Sequence, residues 1–188
     1  VAATLLFTVQ IYCDFSGYSD IARGVSKLLG IDLMKNFNFP YFSRNPSEFW
    51  NRWHISLSSW LRDYLYISLG GNRKGTWKTY RNLSLTMILG GLWHGAAWNF
   101  VLWGAYQGSL LCFYRFFVPD KDFPSNRPFS ILTCWMPTLI FFLFTMYGWL
   151  LFRAESLEQI TSFTSILFSY PSWHSLSMSI PPLATLVG

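Results

Sequence analysis

The chain has 188 residues, 52% of them hydrophobic and 12% charged, about half the charged fraction of an ordinary soluble domain. Aromatic residues make up 20%, with ten Trp and eighteen Phe, a composition expected where amphipathic rings line membrane interfaces. The formal net charge of +5 lies in one place: residues 44–81 carry seven basic and two acidic side chains, and the remainder is neutral. Such a segment between hydrophobic runs reads as a membrane-surface face, and nucleic acid is not an expected partner.

In chain order, residues 1–35 are expected to form a membrane helix region. The chain opens without Met inside an apolar run and closes in another, so it reads as a piece of a longer protein. The apolar start runs into a stretch rich in small and polar residues, Asp14 to Asp20, which suits packing against other helices better than lipid. Carboxylates at Asp14 and Asp20 are costly against hydrocarbon. They are expected to face a cavity, pair with a base such as Arg23, or sit at the interface.

Residues 36–82 read as an amphipathic segment and a basic loop. Trp50, Trp53, Leu57 and Trp60 recur at helical spacing while Arg52, Ser56, Ser59 and Asp63 fill the other side, the pattern of an interfacial or re-entrant helix. A start near Ser47, just after Pro46, is expected. Residues 70–81 read as a turn-forming basic loop, cytoplasmic by the positive-inside rule.

Residues 83–118 are the first stretch long enough to span a bilayer, as one tilted helix or as two pieces broken near Trp98 and Asn99. Residues 129–152 form the second, and membrane helices tolerate an interior Pro such as Pro137. Residues 153–188 are expected to hold a short amphipathic helix at 156–168 and then Ser/Pro-rich connections. The fold class expected is therefore all-α: a polytopic transmembrane helical bundle with re-entrant or interfacial amphipathic helices, a single membrane domain over 1–188.

Chemistry centres on His94, in a run of small residues where Gly91 and Gly95 form a GxxxG pair that permits close helix approach. It would lie roughly 20 Å along the helix from Arg81, and an ionisable group at that depth is a functional hypothesis by default. Burial favours the neutral imidazole, which accepts a proton from an alcohol. A structural histidine bonded to a facing Ser or Asp is the plainer alternative. His54, on the amphipathic segment, is a second candidate.

Asn99 could orient an acyl carbonyl or bond a neighbouring helix. Arg62 and Asp63 read as a structural ion pair. Trp93, Trp98 and Trp103 read as packing or interface anchors. Two histidines without clustered carboxylates make a weak metal site, and no metal or bound cofactor is expected. The three cysteines, Cys13, Cys112 and Cys134, lack paired spacing and read as inert packing residues. No phosphate loop, nucleophile elbow or HExxH motif is present.

Several motifs occur together: Tyr12-Cys-Asp-Phe-Ser-Gly-Tyr-Ser-Asp-Ile-Ala22, Asn36-Phe-Asn-Phe-Pro-Tyr41, the run from Glu48 to Tyr66, Leu69-Gly-Gly-Asn-Arg73 and Gly90-Gly-Leu-Trp-His-Gly95. In this order they resemble the membrane-bound O-acyltransferase family, and most of all its bacterial alginate, polysaccharide and peptidoglycan O-acetylating members. The likeness covers roughly residues 5–115, with a weaker echo at Leu151-Phe-Arg-Ala154.

The resemblance implies that His94 matches the family's active-site histidine and His54 the second histidine of this branch; Asp14, Asn99, Arg62 and Asp63 are the candidate supporting residues on the residue reading above. It further implies a multi-pass protein of the bacterial inner membrane, of around ten spans, three to five of them here. The donor would be acetyl-CoA or another acyl thioester; the partners would be membrane lipid and an exported polysaccharide or periplasmic acetyltransferase. One departure is Gln107, where the family often has a further histidine. Two other classes stay open on the residues alone: a transporter or channel lined by His94, Asp14 and Arg23, and a non-catalytic scaffold of a polysaccharide-modification complex.

Overall fold

The structure is a computed structural model that describes residues 1–118 and 131–168, and within these it is all-helical. Helix α1 runs unbroken from Ala2 to Leu28, 27 residues or about 40 Å. The small and polar stretch 14–20 therefore does not interrupt it. Asp20 pairs with Arg23 one turn on, at 3.3 Å. The helix ends at Gly30, whose φ of 76° suits a residue without Cβ.

The segment that follows is the least regular part of the molecule. Residues 36–38 run alongside 52–56, with the Asn38 N–H donating to the Arg52 carbonyl and the Ile55 N–H to the Asn36 carbonyl, both at 3.0 Å. A 3₁₀ turn at Pro40–Phe42 brings Tyr41 against α1, where its hydroxyl donates to the Thr8 carbonyl at 2.6 Å.

The single amphipathic helix expected over this region is instead three pieces: α2 (Pro46–Trp50), α3 (Ile55–Trp60) and a π-helical segment (Leu61–Tyr66). The break falls at Asn51–His54, where the chain turns through a left-handed His54. The start of α2 is also displaced from the expected Ser47. Asn45 is the cap, its Oδ1 accepting the Glu48 N–H at 2.8 Å, with Pro46 in the first turn, where its missing N–H costs nothing. Glu48 accepts in turn from the Arg52 guanidinium at 2.6 Å.

The expected basic loop is shorter than its composition suggested, because residues 76–81 already belong to α4 (Thr76–His94). Gly70, Gly71 and Gly75, all with positive φ, make the turn before it. The turn is pinned by fully buried Asn82, whose Nδ2 donates to the carbonyls of Leu69 at 3.2 Å and Gly71 at 3.0 Å.

The long apolar stretch breaks into a hairpin at Gly95–Ala97, three residues before the Trp98–Asn99 step, and α5 runs from Trp98 to Phe117. Helices α4 and α5 touch through backbone. A Cβ on Gly91 would lie 2.3 Å from the Phe100 carbonyl oxygen, one on Gly104 2.4 Å from the Met87 oxygen, and one on Gly108 3.1 Å from the Ser84 Cα. The small-residue pair that packs the hairpin from the α5 side is thus Gly104 and Gly108. Gly95 lies outside the helix against the Phe100 ring, so it does not pair with Gly91 along one helix face.

Helix α6 (Ile131–Arg153) contains Pro137, and its residues Trp135–Arg153 are apolar and long enough to cross a bilayer. It presents Trp135, Met136, Leu139, Ile140, Leu143 and Phe144 outward. Its inner face meets α1, α5 and the 3₁₀ turn. Helix α7 (Leu157–Phe168) closes the described chain against α5 and α6. The core is aromatic: Phe49 stacks on Trp53 at 5.6 Å and 11°, Trp53 meets Trp149 at 4.7 Å, and Trp149 lies nearly parallel to Trp103 at 6.3 Å. Expectations for residues 129–130, the Cys134 side chain and the Ser/Pro-rich tail fall outside the described residues.

Candidate functional site

A cavity of about 560 Å³ opens between α1, the broken segment and the hairpin, and both His54 and His94 line it. Its α1 wall is the stripe Phe7, Ile11, Asp14 and Tyr18, which recurs every three or four residues along one helical face. The opposite walls come from Trp50, Trp53 and Leu57, and from Trp103, Trp149 and Phe152. Four separated stretches of sequence, the last of them α6, thus converge on one mostly aromatic chamber with four titratable groups, Asp14, Tyr18, His54 and His94.

His94 is the last residue of α4. The bend after it needs Gly95, where a Cβ would collide with the Phe100 ring at 2.6 Å. The imidazole is half-buried and held by ring edges, with Trp103 at 5.4 Å and 89° and Phe152 at 5.1 Å and 83°. Its ring nitrogens have no hydrogen-bond partner among the described residues.

His54 reaches the cavity differently. Its backbone is left-handed, at φ 43° and ψ 56°, a region that residues with a Cβ seldom occupy. Phe15 meets the imidazole edge-on at 4.7 Å, and its Nδ1 lies 3.4 Å from the Ser56 hydroxyl. Trp93 stands between the two histidines, its ring 6.5 Å from His54 and 5.1 Å from His94.

The other candidate residues separate. Asp14 is on the cavity wall and exposed. Asn99 is buried, but its amide donates to the Phe152 carbonyl at 3.4 Å and ties α5 to α6; it is not among the cavity-lining residues. Arg62 and Asp63 are also away from the cavity. They pair with each other at 2.7 Å, both exposed. Gln107 is buried on α5 close to Gly148 of α6.

Of the three hairpin tryptophans, Trp103 is core whereas Trp93 and Trp98 are largely exposed. Cys13 is exposed on α1, contrary to the packing role expected, and Cys112 donates to the Tyr80 carbonyl at 3.5 Å. Among the described residues no group of three or more metal-ligating side chains gathers.

Sequence reasoning offers tryptophan indoles in general as donors but does not single out Trp50 or Trp103. Both line the cavity, and their indole N–H groups are buried without a partner among the described residues. It also assigned no task to Asn36, which bonds the chain on the far side of His54. Only the length of the motif run containing Asn36 hinted at a role.

Residues 1–154 match the model of the membrane-bound O-acyltransferase family. A probable alginate O-acetylase AlgI of Azotobacter vinelandii is 49% identical over 97% of this chain and 35% of its own length. A peptidoglycan O-acetyltransferase of Helicobacter pylori is 45% identical over 82% of the chain and 29% of its own length. A teichoic acid D-alanyltransferase of Bacillus subtilis is 37% identical over 79% of the chain and 40% of its own length. The chain spans about a third of the length of these curated relatives.

Proposed function

The chain belongs to the membrane-bound O-acyltransferase family, and from that premise we propose that the intact protein moves an acetyl group from a thioester donor to hydroxyls of an exported polysaccharide. The setting is a polytopic helical bundle in the bacterial inner membrane, with the broken segment 36–66 entering it as a re-entrant element. The donor is acetyl-CoA or a related acyl thioester supplied from the cytoplasmic side, and the acceptor is the polymer itself or a periplasmic acetyltransferase that passes the group on. The named activities of the O-acetylating relatives support acetyl over other acyl groups.

One observation carries the reading: two histidines 40 positions apart in sequence line a single chamber large enough for a small acyl group. In the step proposed, His94 takes the proton of the acceptor hydroxyl as that oxygen bonds to the thioester carbonyl carbon. The tetrahedral intermediate then collapses, the carbon–sulfur bond breaks, and the departing thiolate recovers the proton from the imidazolium. General-base help of this kind contributes about 10²–10⁴-fold. Trp50 and Trp103, cavity-lining residues whose indole N–H groups have no partner among the described residues, are the candidate oxyanion donors once a side-chain shift turns an N–H to the chamber, since Asn99 is committed to Phe152. His54 assists proton movement or donor binding in the same chamber.

The test is His94→Ala in the full-length protein, with polymer acetylation and membrane abundance measured together. Acetylation should vanish while abundance holds. Normal acetylation in that variant would remove the proposal.

A further inference from the structure

His54 occupies the N-cap position of α3, yet its side chain makes no cap bond. A cap residue ordinarily turns its side chain back onto the second or third N–H of the helix, because the first four have no partner within the helix. Here that bond comes from 20 residues away: the Asn36 Oδ1 accepts the Ser56 N–H at 3.1 Å. The Asn36 carbonyl accepts the adjacent Ile55 N–H at 3.0 Å, and the Asn38 N–H donates to the Arg52 carbonyl at 3.0 Å. The left-handed residue is thus gripped on both flanks. Between the two asparagines, buried Phe37 packs on Phe15 at 5.0 Å and on Trp53 at 4.9 Å, with His54 at 6.5 Å. A backbone in this sparsely populated region persists only where its surroundings over-determine it, and residues 36–38 supply that determination.

We infer that Asn36 is a positioning residue for acyl transfer: it caps α3 in place of His54, so that the imidazole is left free to face the cavity it shares with His94. This rests on the participation of His54 proposed above. With the Ser56 N–H taken by Asn36, the His54 ring meets Ser56 only through the hydroxyl, 3.4 Å from its Nδ1, and still lines the chamber. Asn36 is not among the residues that line the chamber, and it acts through the turn.

The test uses membranes carrying the full-length protein, with labelled acetyl-CoA as donor probe and four variants: Asn36→Leu, Asn36→Asp, His54→Ala, and Asn36→Leu with His54→Ala. Asn36→Leu removes the acceptor at nearly constant size and should lower kcat about 10- to 100-fold, as small displacements of a reacting group do, with the donor KM within about twofold of wild type. Asn36→Asp keeps an acceptor oxygen and should retain most of the rate. The double variant should be no slower than His54→Ala alone.

Losses that multiply in the double variant, or an Asn36→Leu protein of wild-type rate, would overturn the inference. Full activity in His54→Ala would overturn it too, but through the role given to His54, and the His94→Ala result distinguishes that from failure of the enzyme reading. Should Asn36→Leu not accumulate in the membrane, Asn36→Ser, whose hydroxyl falls short of the Ser56 N–H, takes its place in the same comparison.

Discussion

The α4–α5 hairpin and the broken stretch between residues 36 and 66 each bring one histidine to the cavity, and they do so by opposite means. The hairpin is two regular helices whose glycines let backbone meet backbone, so His94 stands where the end of α4 must be once there is no room for α5 to move away. The broken stretch has little regular structure. It is fixed by side chains bonding backbone: Asn45 to Glu48, Asn36 to Ser56, the Ser58 hydroxyl to the Trp53 carbonyl, Tyr41 to Thr8. A position set by steric exclusion fails abruptly when the space is filled, whereas a position set by several polar bonds loosens by degrees as they are removed.

The sharpest way to break that comparison is a single methyl group at adjacent positions. Gly91→Ala places its Cβ within 2.3 Å of a backbone oxygen, which cannot yield, whereas a Cβ on Gly90 would meet only the end of the Leu61 side chain at 3.1 Å. Gly91→Ala should destabilise the full-length protein by at least the roughly 1–3 kcal/mol typical of overpacking, and Gly90→Ala by well under 1 kcal/mol. Thermal unfolding of the detergent-solubilised protein, read by size-exclusion recovery, checks both. Equal losses at the two positions would mean that backbone contact does not set the hairpin.

Asn82 joins the two regions and comes next in size. It is fully buried, and its amide holds the carbonyls of Leu69 and Gly71, fixing the glycine turn between the π-helical segment and α4. Asn82→Ala strands two acceptors and should cost about 1–3 kcal/mol. The same unfolding assay applies. Protease cleavage near Arg73 should also quicken, because the turn loosens before either helix does. Unchanged cleavage with lowered stability would place the role of Asn82 in the helix alone.

How much of this was legible in sequence follows the same division. Helix α6 was plain, because twenty apolar residues leave few alternatives; for Asp14 and Asp20 the cost of burying carboxylates left three options open, and the structure puts Asp14 on the cavity wall and Asp20 beside Arg23. The hairpin was half-read. Hydropathy reports solvent preference, not backbone continuity, so it located the end of the helix three residues late and left polar residues 76–81 out of α4. It singled out Gly91 with Gly95, whereas the glycines that meet Gly91 and its helix across the hairpin are Gly104 and Gly108.

The broken stretch was misread as one helix because Trp50, Trp53 and Leu57 keep helical spacing straight through the turn. Nothing local at 51–54 announces a break: no Gly, no Pro. It is imposed by Asn36 from 20 positions away, and a periodicity argument confined to a short window has no access to that.

The smallest expected effect tests whether every polar group in the irregular stretch contributes to its shape. The side chains of Arg62 and Asp63 form two hydrogen bonds with each other, at 2.7 and 3.2 Å, and both are exposed. An ion pair between chain neighbours ties no element to another, and in water its attraction is offset by desolvation and lost side-chain freedom. Asp63→Asn should therefore leave unfolding and polymer acetylation indistinguishable from wild type, at low salt as well as high. A tenfold fall in acetylation without loss of membrane protein would show that the π-helical segment reaches the reaction after all, and would extend the bond-determined half of the site beyond Asn36 and His54.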